Sequence, residues 1–152
     1  FPTVVTSAAG YPLDKTYYQT VKGMVGALDI LQPGGSLVIA SACSEGMGSA
    51  EYVASQRRLI EIGGERFLEG IKAKSHAAVD EWQTEMLLKP LRAGRVGLYT
   101  DGLSEADFAL TGVEQVASVA EAVAEAAAAA GDRRIAVIPE GPYVVPRYRP
   151  AS

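Results

Sequence analysis

The stretch from Val4 to Met24, VVTSAAGYPLDKTYYQTVKGM, sets the pattern of the chain: a strand, a tight loop, then a helix. Val4-Val5-Thr6 reads as the end of a buried strand, and Ser7-Ala8-Ala9-Gly10 as the loop that leaves it. Pro12 fixes its own φ and pushes Tyr11 toward an extended conformation. Asp14 is placed as the helix cap, since its carboxylate can accept from first-turn N–H groups that have no partner within the helix. At about 100° per residue, Tyr17, Val21, Met24, Val25 and Leu28 fall on one stripe. Lys15, Tyr18, Gln19, Lys22 and Gly26 fall on the opposite stripe. The apolar stripe is core. The other is either a solvated face or a binding face.

Two features favour a binding face. Gly23 and Gly26 sit inside the helix, where each costs about 1 kcal/mol relative to Ala. Such glycines admit a close neighbour or a ligand. The helix also begins just past the carboxyl end of a strand, where open α/β sheets bind ligands. A lysine and an amide one turn apart can hold a carboxylate or a hydroxyl, because lysine brings charge and donors while glutamine both donates and accepts.

Outward from this unit the same alternation continues. Gln32-Pro33-Gly34-Gly35 is a turn, and Leu37 to Ala42 is an apolar run of strand length, as for a strand buried on both faces. Ser49 caps a helix from about Ala50 to Ile62. Gly63-Gly64 breaks it, and a second helix spans about Glu65 to Ala73. Asp80 and Gln83 have capping-box spacing and open a helix carrying Trp82, Met86 and Leu87, ended by Pro90. Arg95 to Thr100 is a third strand, and Ser104 with Asp107 marks a short helix. Thr111 and Glu114 form a second capping box, opening a helix with Val113, Val116, Val119 or Ala120, and Val123 on one face. Gly131 ends it. Ile135 to Ile138 is a fourth strand, followed by a proline-rich tail that is loose from residue 147 to 152. Short apolar strands alternating with helices imply right-handed parallel crossovers. The predicted fold is α/β, a three-layer α/β/α sandwich with a mainly parallel sheet of about four strands, forming one domain over residues 1–146.

Composition narrows the function. The 152 residues fit one domain. A net charge of −4 argues against nucleic-acid and anionic-membrane partners, both of which need a basic patch. The single cysteine, Cys43, excludes an intrachain disulfide and fits a reducing cytoplasm. No apolar run reaches transmembrane length. The chain opens at Phe1 without an initiator methionine and reads as a fragment.

Several residues invite a chemical role and have a plainer reading. Gly46-Met47-Gly48 lies between a strand and a helix, but Glu51 stands where a dinucleotide fingerprint has its third glycine, and a simple turn fits better. His76, the one histidine, follows Lys72 and Lys74 in a polar connection and reads as a surface residue. Cys43 has no suggested histidine partner and reads as a buried thiol. No Cys/His cluster has metal-ligand spacing, so no metal is expected in this domain. Trp82 is a packing anchor or a pocket wall, and an indole can be both. Arg147 and Arg149 are solvated.

The motifs GYPLD-x-x-YYQ-x-VKGM, LQPGGSLVIASACSEGMGSAEY and D-x-W-Q together resemble the C-terminal domain of the nickel-dependent lactate racemase family, from Val4 to about Pro146. The resemblance implies half of a two-domain enzyme that interconverts the enantiomers of a 2-hydroxy acid. Its nickel–pincer nucleotide is held by the N-terminal domain, which supplies the attachment lysine, a histidine ligand and the catalytic histidines. The C-terminal domain closes the cleft with a Q-x-x-K pair and the tryptophan of D-x-W-Q. These match Gln19, Lys22 and Trp82, with Tyr18 just before the pair. The resemblance thus implies that Lys22 neutralises the substrate carboxylate or developing oxyanion, that Gln19 orients hydroxyl or carboxylate, and that Tyr18 and Trp82 bind substrate. No role falls to His76. This chain alone is expected to be inactive and to hold no cofactor. An apolar patch where the halves meet would also permit a homo-oligomer. A different class remains open: a non-catalytic domain whose lysine/glutamine face holds a carboxylate or phosphate ligand, or a partner protein.

Overall fold

The structure, a computed structural model, describes residues 1–149; the last three residues of the tail expected to be loose lie outside the described residues. Five strands form one sheet: β1 (Thr3–Ser7), β2 (Gly35–Ala40), β3 (Gly94–Tyr99), β4 (Glu114–Gln115) and β5 (Ile135–Ile138). Their order is β4-β3-β2-β1-β5, and every neighbouring pair is parallel.

Side chains alternate across a strand, so the register sorts them into two faces. Val4, Leu37 and Val96 align across the first three strands, as do Thr6, Ile39 and Leu98. This face is packed by α1 (Tyr17–Gly26) and α4 (Glu81–Ala93), with α2 (Ala50–Ile62) and α3 (Gly64–Lys72) completing that layer. Tyr17, Val21, Met24 and Leu87 are fully buried there, as the apolar stripe requires. Each such side chain contributes roughly 1.5–3 kcal/mol through burial. The opposite face carries Ser36, Val38 and Gly97 and is covered by α6 (Val119–Ala130), whose Ala122 and Ala126 lie against them. The result is the three-layer α/β/α sandwich. A short helix, α5 (Glu105–Phe108), links β3 to β4.

Local signals are met where the partner is near in sequence. Ser49 accepts from the Tyr52 N–H at 3.0 Å, and Ser104 from that of Asp107 at 3.1 Å. Gly131 closes α6 with φ of 61°, in the left-handed region where glycine carries no steric cost.

Three expectations fail. The sheet has five strands, not four, because Thr111 and Glu114 do not open a helix. The Thr111 hydroxyl donates to the Phe108 carbonyl at 2.7 Å, and Glu114 pairs with Arg95 as part of edge strand β4. Val116 instead packs over Gly97, where a Cβ would lie 2.9 Å from its methyl. The helix starts after Ser118, which caps the Glu121 N–H at 3.4 Å. Second, Asp14 is not the cap of α1. It lies in a 3₁₀ turn, Leu13–Lys15, and Thr16 caps the helix through the Gln19 N–H. Third, Asp80 and Gln83 form no capping box, and Pro90 does not end α4, which runs on to Ala93. Pro90 is itself buried, as are Leu87 and Leu88, and this packing outweighs the missing N–H.

Candidate functional site

The strand order reverses at β1, with β2 on one side and β5 on the other. Open α/β sheets usually leave a ligand crevice at the carboxyl ends flanking such a reversal. Here that crevice is filled by backbone. Gly141, opening a 3₁₀ turn to Tyr143, sits against Thr6, Ser7 and Gly23. A Cβ on Gly23 would lie 2.8 Å from the Ser7 carbonyl oxygen, and one on Gly26 would lie 2.6 Å from that of Gly141. The Ser7 hydroxyl donates to the Pro139 carbonyl and closes the joint. The two helix glycines therefore admit a neighbouring chain segment and not a ligand.

The open crevice lies on the other side of α1. It is a cleft of about 410 Å³ lined by Thr16, Tyr18, Glu45, Gly48, Ser49 and Asp80. The loop 43–49 builds it. The carbonyls of Gly46 and Met47 accept from the N–H groups of Tyr17 and Tyr18 at 2.9 and 3.0 Å. Thr16 satisfies the next two, those of Gln19 and Thr20. The first-turn donors of α1 are thus all used, and an anion here would be held by side chains instead of free backbone N–H groups. The Gly46-Met47-Gly48 turn, read above as a simple turn, is a clamp on the helix start. Gly48 has φ of 122°, and a Cβ there would sit 3.0 Å from that of Tyr18.

Tyr18 is the centre of the site. Its ring meets Tyr52 edge-on at 5.1 Å and Trp82 edge-on at 6.2 Å between centroids. One helical turn on, the Lys22 ammonium stands 5.3 Å from the same ring's centroid. That is a cation–π contact at the spacing where helical side chains meet. Lys22 is exposed and makes no ion pair among the described residues. Trp82 is 49% exposed, so its indole is only part anchor. Gln19 is half-buried beside Tyr18, and its carboxamide has no hydrogen-bond partner among the described residues. The fold thus gathers Tyr18, Lys22 and Trp82 into one contact set, with Gln19 next to it on α1. Only Tyr18 of these four also lines the cleft.

Lys15 leaves the group. It lies in the 3₁₀ turn before the helix and is paired with Glu45, so it does not share the face of Gln19 and Lys22.

Three residues of D-x-W-Q brace the site in ways their sequence did not foretell. Asp80 has φ of 60°, a left-handed conformation, and its carboxylate accepts from the Ser49 hydroxyl at 2.5 Å. Partial desolvation, and then the charge of Asp80 and hydrogen bonding to it, push the Tyr18 phenol above its ordinary pKa. Gln83 is buried and donates to the Tyr18 carbonyl at 2.6 Å, tying α4 to α1 across 65 residues. Glu81, 2% exposed, accepts from Lys74, Arg58 and the Ala78 N–H. Desolvation raises its carboxyl, but the Lys74 and Ala78 hydrogen bonds and the two nearby cations outweigh it and hold the group below its ordinary pKa.

The remaining candidates stay apart. Cys43 is fully buried, with its thiol near the hydroxyls of Thr20 and Ser41 at 3.4 and 3.6 Å. His76 is exposed, bonded to the Ser75 hydroxyl at 2.9 Å, in a separate surface hollow. Arg147 and Arg149 are exposed. Among the described residues, no group of three or more His, Cys, Asp or Glu is placed to hold a metal ion, and no helix is long and apolar enough to cross a membrane.

A lactate racemase from Thermoanaerobacterium thermosaccharolyticum is 27% identical over 152 residues, covering 96% of this chain and 34% of that protein. The solved structure of the lactate racemase apoprotein from the same organism matches with a TM-score of 0.82 at 27% identity, covering 97% of this chain and 36% of that one. This chain therefore spans about a third of the length of these relatives. A family model described as the lactate racemase C-terminal domain matches residues 2–145. The chain belongs to the lactate racemase C-terminal domain family.

Proposed function

We propose that this domain closes the substrate cleft of a 2-hydroxy-acid racemase or epimerase of the nickel–pincer-nucleotide type. The observation that supports it most is the unpaired Lys22 ammonium over the Tyr18 ring, with the Trp82 indole against the same ring. A lysine that has no carboxylate partner of its own is free to take one from a small acid. The aromatic pair beside it lowers the local dielectric, which strengthens that attraction.

In this reading Lys22 neutralises the substrate carboxylate or a developing oxyanion. Gln19 offers a donor and an acceptor to orient the hydroxyl or carboxylate. Tyr18 and Trp82 form the wall that keeps water out. The hydride chemistry belongs to the nickel–pincer nucleotide of an N-terminal domain; residues 1–149 present no metal-ligand cluster, and none of them is assigned to that group. Exposed apolar side chains support closure against another domain of the same protein: Tyr11, Val79 and Trp82 are exposed at 83%, 69% and 49%. Residues 1–146 act as one unit inactive by itself, in the cytoplasm.

The test is racemisation of a panel of chiral 2-hydroxy acids by the full-length, cofactor-loaded protein. Lys22→Ala is expected to lower kcat/KM by on the order of 10²–10³, as for loss of one charge-stabilising donor. Gln19→Ala is expected to cost less, with both variants keeping the wild-type melting temperature. Unchanged turnover in both would instead favour a non-catalytic domain that binds a carboxylate or phosphate on the same face.

A further inference from the structure

We propose that Gln83 is a positioning residue for Trp82: its carboxamide, bonded to the Tyr18 carbonyl, docks the first turn of α4 on α1 and so sets the indole against the Tyr18 ring. The inference rests on the function proposed above.

Trp82 and Gln83 are consecutive, and both reach Tyr18. The indole meets the Tyr18 ring edge-on at 6.2 Å between centroids. The Gln83 amide nitrogen donates to the Tyr18 carbonyl at 2.6 Å. That carbonyl belongs to the peptide group joining Tyr18 to Gln19, so the bond lands in the middle of the candidate set. Trp82 itself is 49% exposed and is only partly held by packing. The start of its helix is not fixed by a cap either, since the Asp80 side chain makes no cap hydrogen bond. Helix ends fray unless something holds them. Glu81 ties this turn to Arg58 of α2 and to Lys74, just past the end of α3. Gln83 supplies the tie to α1.

The choice of residue points the same way. Gln83 is 1% exposed, and its side-chain oxygen has no hydrogen-bond partner among the described residues. Burying an unpartnered acceptor is unfavourable, and a methionine or leucine would fill the site without one. The Tyr18 carbonyl does not need the bond, because within α1 it already faces the Lys22 N–H, the ordinary helical donor. The contact therefore serves neither the core nor the hydrogen bonding of α1 itself. What it fixes is how two helices meet at the point where Trp82 leaves α4.

Gln83→Met and Gln83→Leu remove the donor together with the idle acceptor and keep an apolar side chain in the site. Loss of one is offset by loss of the other, so both variants are expected to fold with a near wild-type melting temperature. In the full-length, cofactor-loaded enzyme, Gln83→Met is expected to lower kcat/KM about tenfold, as for a modest misplacement of a binding group. A glutamine with a purely structural role would act independently of Trp82, and the two losses would multiply. If Gln83 acts through Trp82, adding Gln83→Met to Trp82→Ala should cost no more than about twofold further. NMR of the full-length protein with labelled aromatic side chains should show Overhauser contacts between the Tyr18 and Trp82 rings in wild type, lost in Gln83→Met. Their absence in wild type, their persistence in Gln83→Met, unchanged kcat/KM in an active enzyme, or multiplied losses each overturn the proposal. Failure of both variants to fold would assign the bond to stability and overturn it too. Should the protein racemise no hydroxy acid while Gln83→Met still loses the ring contacts, the functional reading fails and the positioning of Trp82 stands.

Discussion

Two crevices open at the carboxyl edge of this sheet, on either side of α1, and they end up opposite in character. The one between β1 and β5 lies where strand order reverses, yet it is packed shut by Gly141 against Gly23 and Gly26. The one toward α4 is left open and lined by hydroxyls, carboxylates and Tyr18. Topology selects the edge of the sheet where a ligand belongs. Packing decides which crevice on that edge survives. The first crevice closes backbone against backbone, because three glycines remove the side chains that would hold it open, while the second is lined by Tyr18, whose ring Trp82 and Tyr52 hold edge-on.

Refilling the closed joint should do the most damage to stability. In Gly23→Ala the new methyl meets the Ser7 carbonyl at 2.8 Å and the Ile39 methyl at 3.1 Å. Overpacking of this kind costs about 3 kcal/mol, and helix propensity returns about 1, leaving a net loss of about 2 kcal/mol. Denaturant unfolding would show it as a lower midpoint at unchanged slope. A neutral Gly23→Ala would mean the joint yields easily, and the contrast between the crevices would weaken.

The brace of the open crevice should respond less, and with a pH signature. Glu81→Gln removes charge from the hydrogen bonds to Lys74 and Arg58 and should cost about 1.5 kcal/mol near neutral pH. The Glu81 carboxyl is held below its ordinary 4.5, so its stabilisation is fully present above that value and is lost as pH falls through the lower folded value. The gap between wild type and Glu81→Gln should therefore narrow below about pH 4.5 and close once the pH lies below the folded value, where both carry a neutral group. A constant gap across that range would show that packing and not charge holds the start of α4.

Smallest in stability should be Trp82→Ala. Half of the indole is in water, and surface changes of this kind usually stay within about 0.5 kcal/mol. Its effect should appear instead as roughly tenfold weaker turnover in the full-length enzyme, which a thermal melt would not register. A large loss of stability would recast Trp82 as a packing anchor.

Much of this arrangement was legible in the chain, and the failures share a cause. Ser49, Ser104 and Gly131 were readable as caps because each acts on groups within a few residues of itself. Thr111 was misread because its hydroxyl had two local choices and took the turn behind it, while Ser118, with Glu121 at the same capping spacing, began the helix. Asp14 lost to Thr16 in the same way. Within the candidate site, Lys22 and Tyr18 share a face through helical geometry alone. Lys15 seemed to share it only because the helix was started two residues early.

Residue order by itself determined the α/β alternation, the apolar stripe of α1 and the polar face carrying Gln19 and Lys22, since all of these follow from periodicity within one element. Only the tertiary structure decided that β4 would pair as a fifth strand, that Gln83 would bind a carbonyl 65 residues away, and that Asp80 would turn left-handed to reach Ser49. Each of those is a choice between a local partner and a distant one. The winner depends on which groups the packed layers bring within about 3 Å, the reach of a hydrogen bond.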